Sequence, residues 1–457
     1  MKYPANAKNV GAIYDNAAAD NPFLAAMPEM MSREAFLDTI KCLPPLPAGL
    51  SEMPAEERRQ NLSLLSSIFV PMEFMYSCYD QLYRAMTSTY ATRTMLEEVQ
   101  RTCALFKGDS LPAFATQPAT GSILGVPGVG KTSTIRHTLS VVPQVIEHTD
   151  YMGKPLFCKQ VLYLAVECPS DCSVKSLAFN IVAALDRAIG SDYLNQLTAL
   201  RSAATSAIAV QIKVLCLTHH IGLILIDEIQ NAVVTAQKNK QIKPLLKFLV
   251  ELTNDTCTST FFIGTPIAEE LFCSEEHLMR RTRGMRLIPF DPDGSYRAFL
   301  QMLWPYQLTS ENAPLTEQLA NKLYDCSGGI PAYIIKIFQE SQAQALLQGK
   351  DCIDSKTIQK AIDILAIKVP RTYAGGTSIS EFDAPDTGHI IELPQEETAV
   401  TSELPERPLS TVKRQYANKR GRKATPRDDL DLLVGFQNVS NFLGWLKAHA
   451  LLEDWPC

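Results

Sequence analysis

Two stretches of this chain carry residue types at spacings suited to chemistry on a phosphate. From Gly125 to Ser133 the sequence reads G-V-P-G-V-G-K-T-S, which fits the spacing G-x-x-x-x-G-K-[ST]. In the turn formed by Gly125, Val126, Pro127, Gly128, Val129 and Gly130, glycines let backbone N–H groups point inward at an anion, and a following helix adds its positive N-terminal end. At that spacing Lys131 reaches the β- and γ-phosphates of a nucleotide and Thr132 holds Mg²⁺, with Ser133 beside it. Further on, L-I-L-I-D-E-I-Q places the acidic pair Asp227-Glu228 directly after an apolar run. There Asp227 would orient Mg²⁺, partly through water, and Glu228 would polarise the attacking water. An ordinary Asp-Glu cap after a strand is the plainer alternative.

Two further groups follow. The run Phe262-Ile263-Gly264-Thr265-Pro266 ends a third apolar stretch in a hydroxyl that can reach a γ-phosphate or the water, or can simply close a turn. Arg280, Arg281 and Arg283 then stand within four positions. They form either a solvated face or an arginine finger that reaches the phosphate of a neighbouring subunit.

Such groups work only if strand ends bring them together. Ser122 to Leu124, Val161 to Val166, Leu223 to Ile226 and Thr260 to Ile263 are nearly continuous apolar runs, as expected of strands covered on both faces. Helix-like segments, among them Val174 to Ile189 and Lys243 to Leu252, alternate with them, which predicts an α/β fold with a parallel sheet over 101–295. From 296 to 370 helical patterns replace strands and predict a small helical lid. Before 100, a Pro-rich loop at 43–50 and a helix opening at Met53 to Arg59 precede a run in which Phe74, Cys78, Leu82 and Met86 repeat at helical spacing. Tyr76, Tyr79 and Tyr83 lie off that stripe, and the run ends in a basic, aromatic stretch from Tyr83 to Arg93.

Beyond Pro370 the composition changes. Residues 371–410 are rich in Thr, Ser, Pro and Gly, and every charged residue from Glu381 to Glu406 is acidic, which predicts a disordered linker. Residues 411–457 begin with seven lysines and arginines between Lys413 and Arg427 and end in a helical apolar stripe, Leu432, Phe436, Val439, Phe442 or Leu443, and Leu446, that needs a partner surface.

The 457 residues are 46% hydrophobic and 20% charged, the balance of a soluble globular protein of several units. A net charge of -6 excludes a globally basic nucleic-acid binder, so any such surface is local. The twelve cysteines show no metal-ligand spacing. They fit a reducing compartment. With no signal-peptide core and no apolar run of membrane-spanning length, a cytoplasmic protein without a membrane partner is expected.

The order G-V-P-G-V-G-K-T, L-I-L-I-D-E-I-Q, F-I-G-T-P, R-R-T-R and S-G-G-I-P-A-Y-I resembles that of the AAA+ ATPases. More narrowly, D-E-x-Q and G-T-P resemble the transposition regulators TnsC and TniB. The leader, with P-P-L-P before E-E-R-R, then I-F-V-P and a helix ending S-T-Y-A-T-R, is similar to that of TnsC. The resemblance spans roughly residues 20 to 370. It implies an ATPase that requires Mg²⁺, oligomerises as a ring or helical filament on duplex DNA, and couples a target-selection protein to transposase subunits. Residues 1–100 would then serve as an extension that meets the selector. Lys175, Lys238, Lys240 and Lys243 are candidates to contact DNA phosphates, although single lysines are commonly plain surface residues. The lid departs from the pattern: Gly329-Ile330-Pro331-Ala332-Tyr333 carries no arginine at the start of its helix. A replication initiator or helicase loader shares the core residues, and a nucleotide-gated signalling scaffold is a reading from another class.

Overall fold

The computed structural model describes residues 2–14, 21–50, 52–93, 95–109, 111, 118–171, 173–199, 204–232, 242–269, 284–350 and 352–367. They belong to one compact unit, Met1–Phe382. The acidic linker and the basic segment with its apolar stripe lie outside the described residues.

The N-terminal region gives β1 (Asn9–Gly11), α1 (Pro22–Ala26), α2 (Arg33–Ile40), α3 (Ala55–Asn61), a 3-10 turn (Leu62–Ser67), α4 (Glu73–Thr92) and α5 (Met95–Lys107). Then come β2 (Thr120–Gly125), α6 (Lys131–Ser140), β3 (Val145–Tyr151), β4 (Lys154–Val161), β5 (Tyr163–Glu167), α7 (Val174–Ile189), α8 (Tyr193–Ala199) and α9 (Thr205–Thr218). They are followed by β6 (Leu223–Asp227), α10 (Ile242–Thr256), β7 (Ser259–Gly264) and β8 (Met285–Leu287). The lid consists of α11 (Ser295–Leu303), α12 (Glu317–Ser327), α13 (Pro331–Leu347) and α14 (Ser355–Leu365).

Five strands form a parallel sheet in the order β5-β6-β7-β2-β8. Its apolar runs are continuous because both faces are covered: Leu223, Leu225, Phe261 and Ile263 enter one core with α4 and the lid. Ile224, Ile226 and Phe262 enter the other with α7, α9 and α10. The order matters for chemistry. Because β7 lies between β6 and β2, the carboxyl ends of the three strands bring Asp227, Thr265 and Gly125 side by side, where open α/β sheets bind ligands.

The apolar run 161–166 is not one strand. It divides at Leu162 between β4, which belongs to a three-stranded sheet ordered β1-β3-β4, and β5 of the main sheet. A fully buried run carries no alternation that could mark such a change of partner. The hairpin between β3 and β4 turns through Met152 (φ 52) and Gly153 (φ 74), the doubly left-handed geometry of a two-residue turn.

The N-terminal region is built into the core. On α4, Cys78, Leu82 and Met86 are buried as the stripe predicts, yet Tyr79, off the stripe, is buried too. α4 is covered on two sides, by α2 and by α6 with the sheet, so one face does not describe it. Its basic, aromatic ending is an anchor. The Tyr90 hydroxyl donates to the carbonyls of Val161 (3.1 Å) and His220 (2.9 Å), and Arg93 donates to those of Thr256 (3.0 Å) and Ile221 (2.9 Å). Arg93 also pairs with Glu98 at 3.0 Å, and Glu98 meets His220 Nδ1 at 2.6 Å. Breaking a buried pair like this typically costs about 3–5 kcal/mol.

Candidate nucleotide site

The loop after β2 curls through Gly128 (φ 81) and Gly130 (φ 98), left-handed positions that suit glycine, and Gly130 caps the N-terminus of α6. Lys131 opens that helix, and its side chain folds back so that Nζ donates to the carbonyls of Gly125 (2.7 Å) and Val126 (3.1 Å). Burial lowers the lysine's pKa from its ordinary value, opposed by the nearby carboxylates of Glu228 and Asp227. Thr132 Oγ1 donates to Asp227 Oδ2 at 3.1 Å. Residues 95 positions apart in sequence therefore meet across the ends of β6 and β2.

Asp227 Oδ1 accepts the backbone N–H of Glu228 at 2.8 Å. Glu228 itself stands at φ 56, left-handed for a non-glycine residue. Such strain is commonly held at functional sites. Its carboxylate accepts from the Gln230 amide. Thr265 Oγ1, at the end of β7, is shielded from solvent and makes no hydrogen bond. A buried hydroxyl left so is costly, which fits a group kept for a ligand.

Lys131, Thr132, Glu228, Gln230 and Thr265 line one cavity of about 600 Å³, together with Gly128, Gly130 and Ser133 of the loop, and Asp227 joins them through its bond to Thr132. That volume suits a nucleotide. The lid closes one wall: the Ala332 N–H donates to the Gly128 carbonyl at 3.2 Å, and Pro331, Ala332 and Ile335 face the cavity.

Residues before α4 close the far end. Ser66 to Val70 line it, and the Phe69 ring stacks on His137 of α6 with centroids 3.6 Å apart and planes 10° apart. Burial, then the charge of Arg136, lowers the His137 pKa. Phe69 is fixed by a two-bond bridge to Cys42, with N–O distances of 3.0 and 2.8 Å. The sequence reading missed this end. I-F-V-P carries no charge or chemical spacing of its own, and beyond its place in the leader's resemblance its signal was an aromatic residue two positions before a proline ahead of a helix.

Lys175 lies in the first turn of α7, its ammonium 5.6 Å from the Phe179 ring centroid. Arg280, Arg281, Arg283, Lys238 and Lys240 lie outside the described residues, and so does the side chain of Lys243, although its backbone is in α10.

Residues 116–272 match the family model described as AAA domain. The chain has an AAA+ P-loop fold. Among solved structures it is similar to the Aeropyrum pernix ORC2 protein in its ADPNP and ADP complexes, at 13% identity and a TM-score of 0.35, over 59% of this chain and 66% of that one. The Aeropyrum pernix ORC1 protein in complex with DNA is similar at 13% identity and 0.37, over 60% and 65%. The Thermotoga maritima RuvB Holliday junction branch migration motor is similar at 15% and 0.32, over 61% and 72%. The chain thus spans just under two thirds of the length of the two Aeropyrum proteins. No curated protein matches the sequence. Among the described residues no helix is long and apolar enough to cross a membrane.

Proposed function

We propose that this chain is an ATP-hydrolysing, DNA-binding AAA+ regulator of DNA transposition. It oligomerises as a ring or helical filament on target duplex DNA and couples a target-selection protein to transposase subunits. The observation that carries the ATPase part is the convergence of Lys131, Thr132, Glu228 and Thr265 on one cavity, with Asp227 in contact with Thr132 at 3.1 Å. Lys131 exchanges its two loop carbonyls for phosphate oxygens. Thr132 and Asp227 would hold Mg²⁺, which neutralises charge on the β- and γ-phosphates. Glu228 takes the proton of the attacking water, and the Thr265 hydroxyl is free to bond the γ-phosphate.

The far end suits adenine. Phe69 spends its own N–H and C=O on Cys42; by the alternation of an extended strand, the Ile68 carbonyl and the Val70 N–H would then turn the other way, where a base edge would meet one acceptor and one donor. Transposition and its partners are supported by the resemblance of the leader, D-E-I-Q and G-T-P to TnsC. In that assembly one of Arg280, Arg281 and Arg283 reaches a neighbouring subunit's nucleotide, and Lys175, Lys238, Lys240 and Lys243 contact DNA phosphates.

A nucleotide shared between subunits makes assembly the output. The purified protein is expected to form oligomers on duplex DNA only with ATP or a slowly hydrolysed analogue, and Lys131→Ala to abolish them under electron microscopy. Equal assembly by that variant without nucleotide sinks the switch.

A further inference from the structure

We propose that Gln230 is a positioning residue for hydrolysis, fixing the Glu228 carboxylate by tying it to the backbone of Thr265. The inference rests on the ATPase reading above. Gln230 Oε1 accepts the Thr265 N–H at 3.1 Å, while its Nε2 donates to Glu228 Oε2. Only one orientation of the amide satisfies both, because the flipped form sets N–H against N–H and oxygen against oxygen. The side chain therefore reads two strand ends at once.

Space for this bridge is reserved. A Cβ on Gly264 would lie 2.5 Å from Gln230 Oε1, so only glycine at the end of β7 admits the amide. One residue earlier the same turn is joined to the same strand by the backbone, with the Ile229 N–H donating to the Ile263 carbonyl at 3.0 Å. Asn231 then donates from its backbone to Glu228 O (2.9 Å) and from its side chain to Cys168 O (3.1 Å). These bonds hold Glu228 in its left-handed conformation, which an unsupported glutamate rarely adopts.

The clamp divides the two carboxylate oxygens. Oε2 is committed to Gln230, which leaves Oε1 for the water. In hydrolysis the water oxygen bonds to the γ-phosphorus and its proton passes to Oε1. The bond from γ-phosphorus to the bridging oxygen breaks, and its electron pair leaves on ADP. Any shift of Thr265, whose free hydroxyl faces the same cavity, is transmitted to the base through the amide.

The test is steady-state ATP hydrolysis by the full chain, comparing wild type with Gln230→Met, Gly264→Ala and Glu228→Gln, beside a melting curve for each. Met keeps the length of Gln and removes the donor, whereas Ala at 264 displaces an unaltered amide. Both are expected to lower kcat about tenfold while leaving KM within about twofold and the melting temperature near that of wild type. A side chain that merely supports the fold would change KM or thermal stability instead. Wild-type kcat in both variants, or a fall in kcat that comes with a matching change in KM or melting temperature, overturns the clamp while an inactive Glu228→Gln leaves the site reading standing. Undiminished turnover in Glu228→Gln overturns the site reading and the clamp with it.

Discussion

The two ends of the cavity are made by different rules. At the phosphate end, the groups sit at or just past the carboxyl ends of β6 and β7 and at the start of α6 after β2, and the sheet order β6-β7-β2 brings them together although they are far apart in sequence. At the base end the lining comes from the segment before α4, held by a bridge to Cys42 and by stacking on His137. The first end is charged and strained, with Glu228 at φ 56 and a lysine buried against its own loop. The second is apolar and aromatic. On the proposed function one end serves chemistry and the other holding, and substitutions in each should separate turnover from binding.

Glu228→Gln tests that division with the largest effect. Removing the base while keeping its shape is expected to lower kcat by about 10²- to 10³-fold with nucleotide affinity retained. Single-turnover hydrolysis alongside equilibrium nucleotide binding reads both quantities. A variant that loses binding instead would make the acidic pair part of the holding surface and erase the distinction.

Phe69→Ala probes the other end. Loss of the stacked ring is expected to weaken nucleotide binding about tenfold, with kcat at saturation nearly unchanged. If kcat falls in proportion to affinity, the two ends act as one unit. The same variant exposes His137, so a melting curve is needed beside the binding isotherm.

The difference between the ends also decides what could be read in the sequence. Gly125 to Ser133 and Asp227-Glu228 were legible because phosphate chemistry demands particular residue types at fixed local spacing, and their strands showed as apolar runs. The base end was not legible. Any chain with a free N–H, a free C=O and a flat ring can hold a base, so Ile68, Phe69 and Val70 carry no obligatory pattern. Gln230 stood in the quoted D-E-I-Q, but its role depends on Thr265 approaching from another strand, which local spacing does not state. The split of 161–166 between two sheets and the burial of Tyr79 were hidden for a related reason: periodicity reports a single covered face, and these segments have two. Periodicity left the role of the basic, aromatic ending of α4 open; its Thr89, Tyr90 and Arg93 are buried against strand-entry carbonyls.

Acidification gives the smallest effect and separates the ends by their ionisable groups. His137 at the base end and Lys131 at the phosphate end both have folded pKa values below their unfolded ones, 6.5 and 10.5, in each case chiefly through burial. A depressed pKa means that the unfolded chain takes up the proton first, so stability is full above the unfolded pKa and is lost as pH falls through the window below it. For Lys131 that window lies in alkali, and its cost is constant between about pH 5 and 7. For His137 the window opens at 6.5 and runs downward, joined by His148 and by His219, whose pKa burial and the neighbouring His220 push down to about 4. The melting temperature should therefore be flat above about pH 7 and fall by several degrees between about pH 6.5 and 5, above the range where most carboxylates titrate. His219→Gln is expected to remove the larger share of that fall and His137→Gln a smaller one. In a nucleotide-saturated sample the His137 share should persist if Phe69 stays stacked on it, whereas its disappearance would mean that the bound base displaces the ring and that this end is remade on binding.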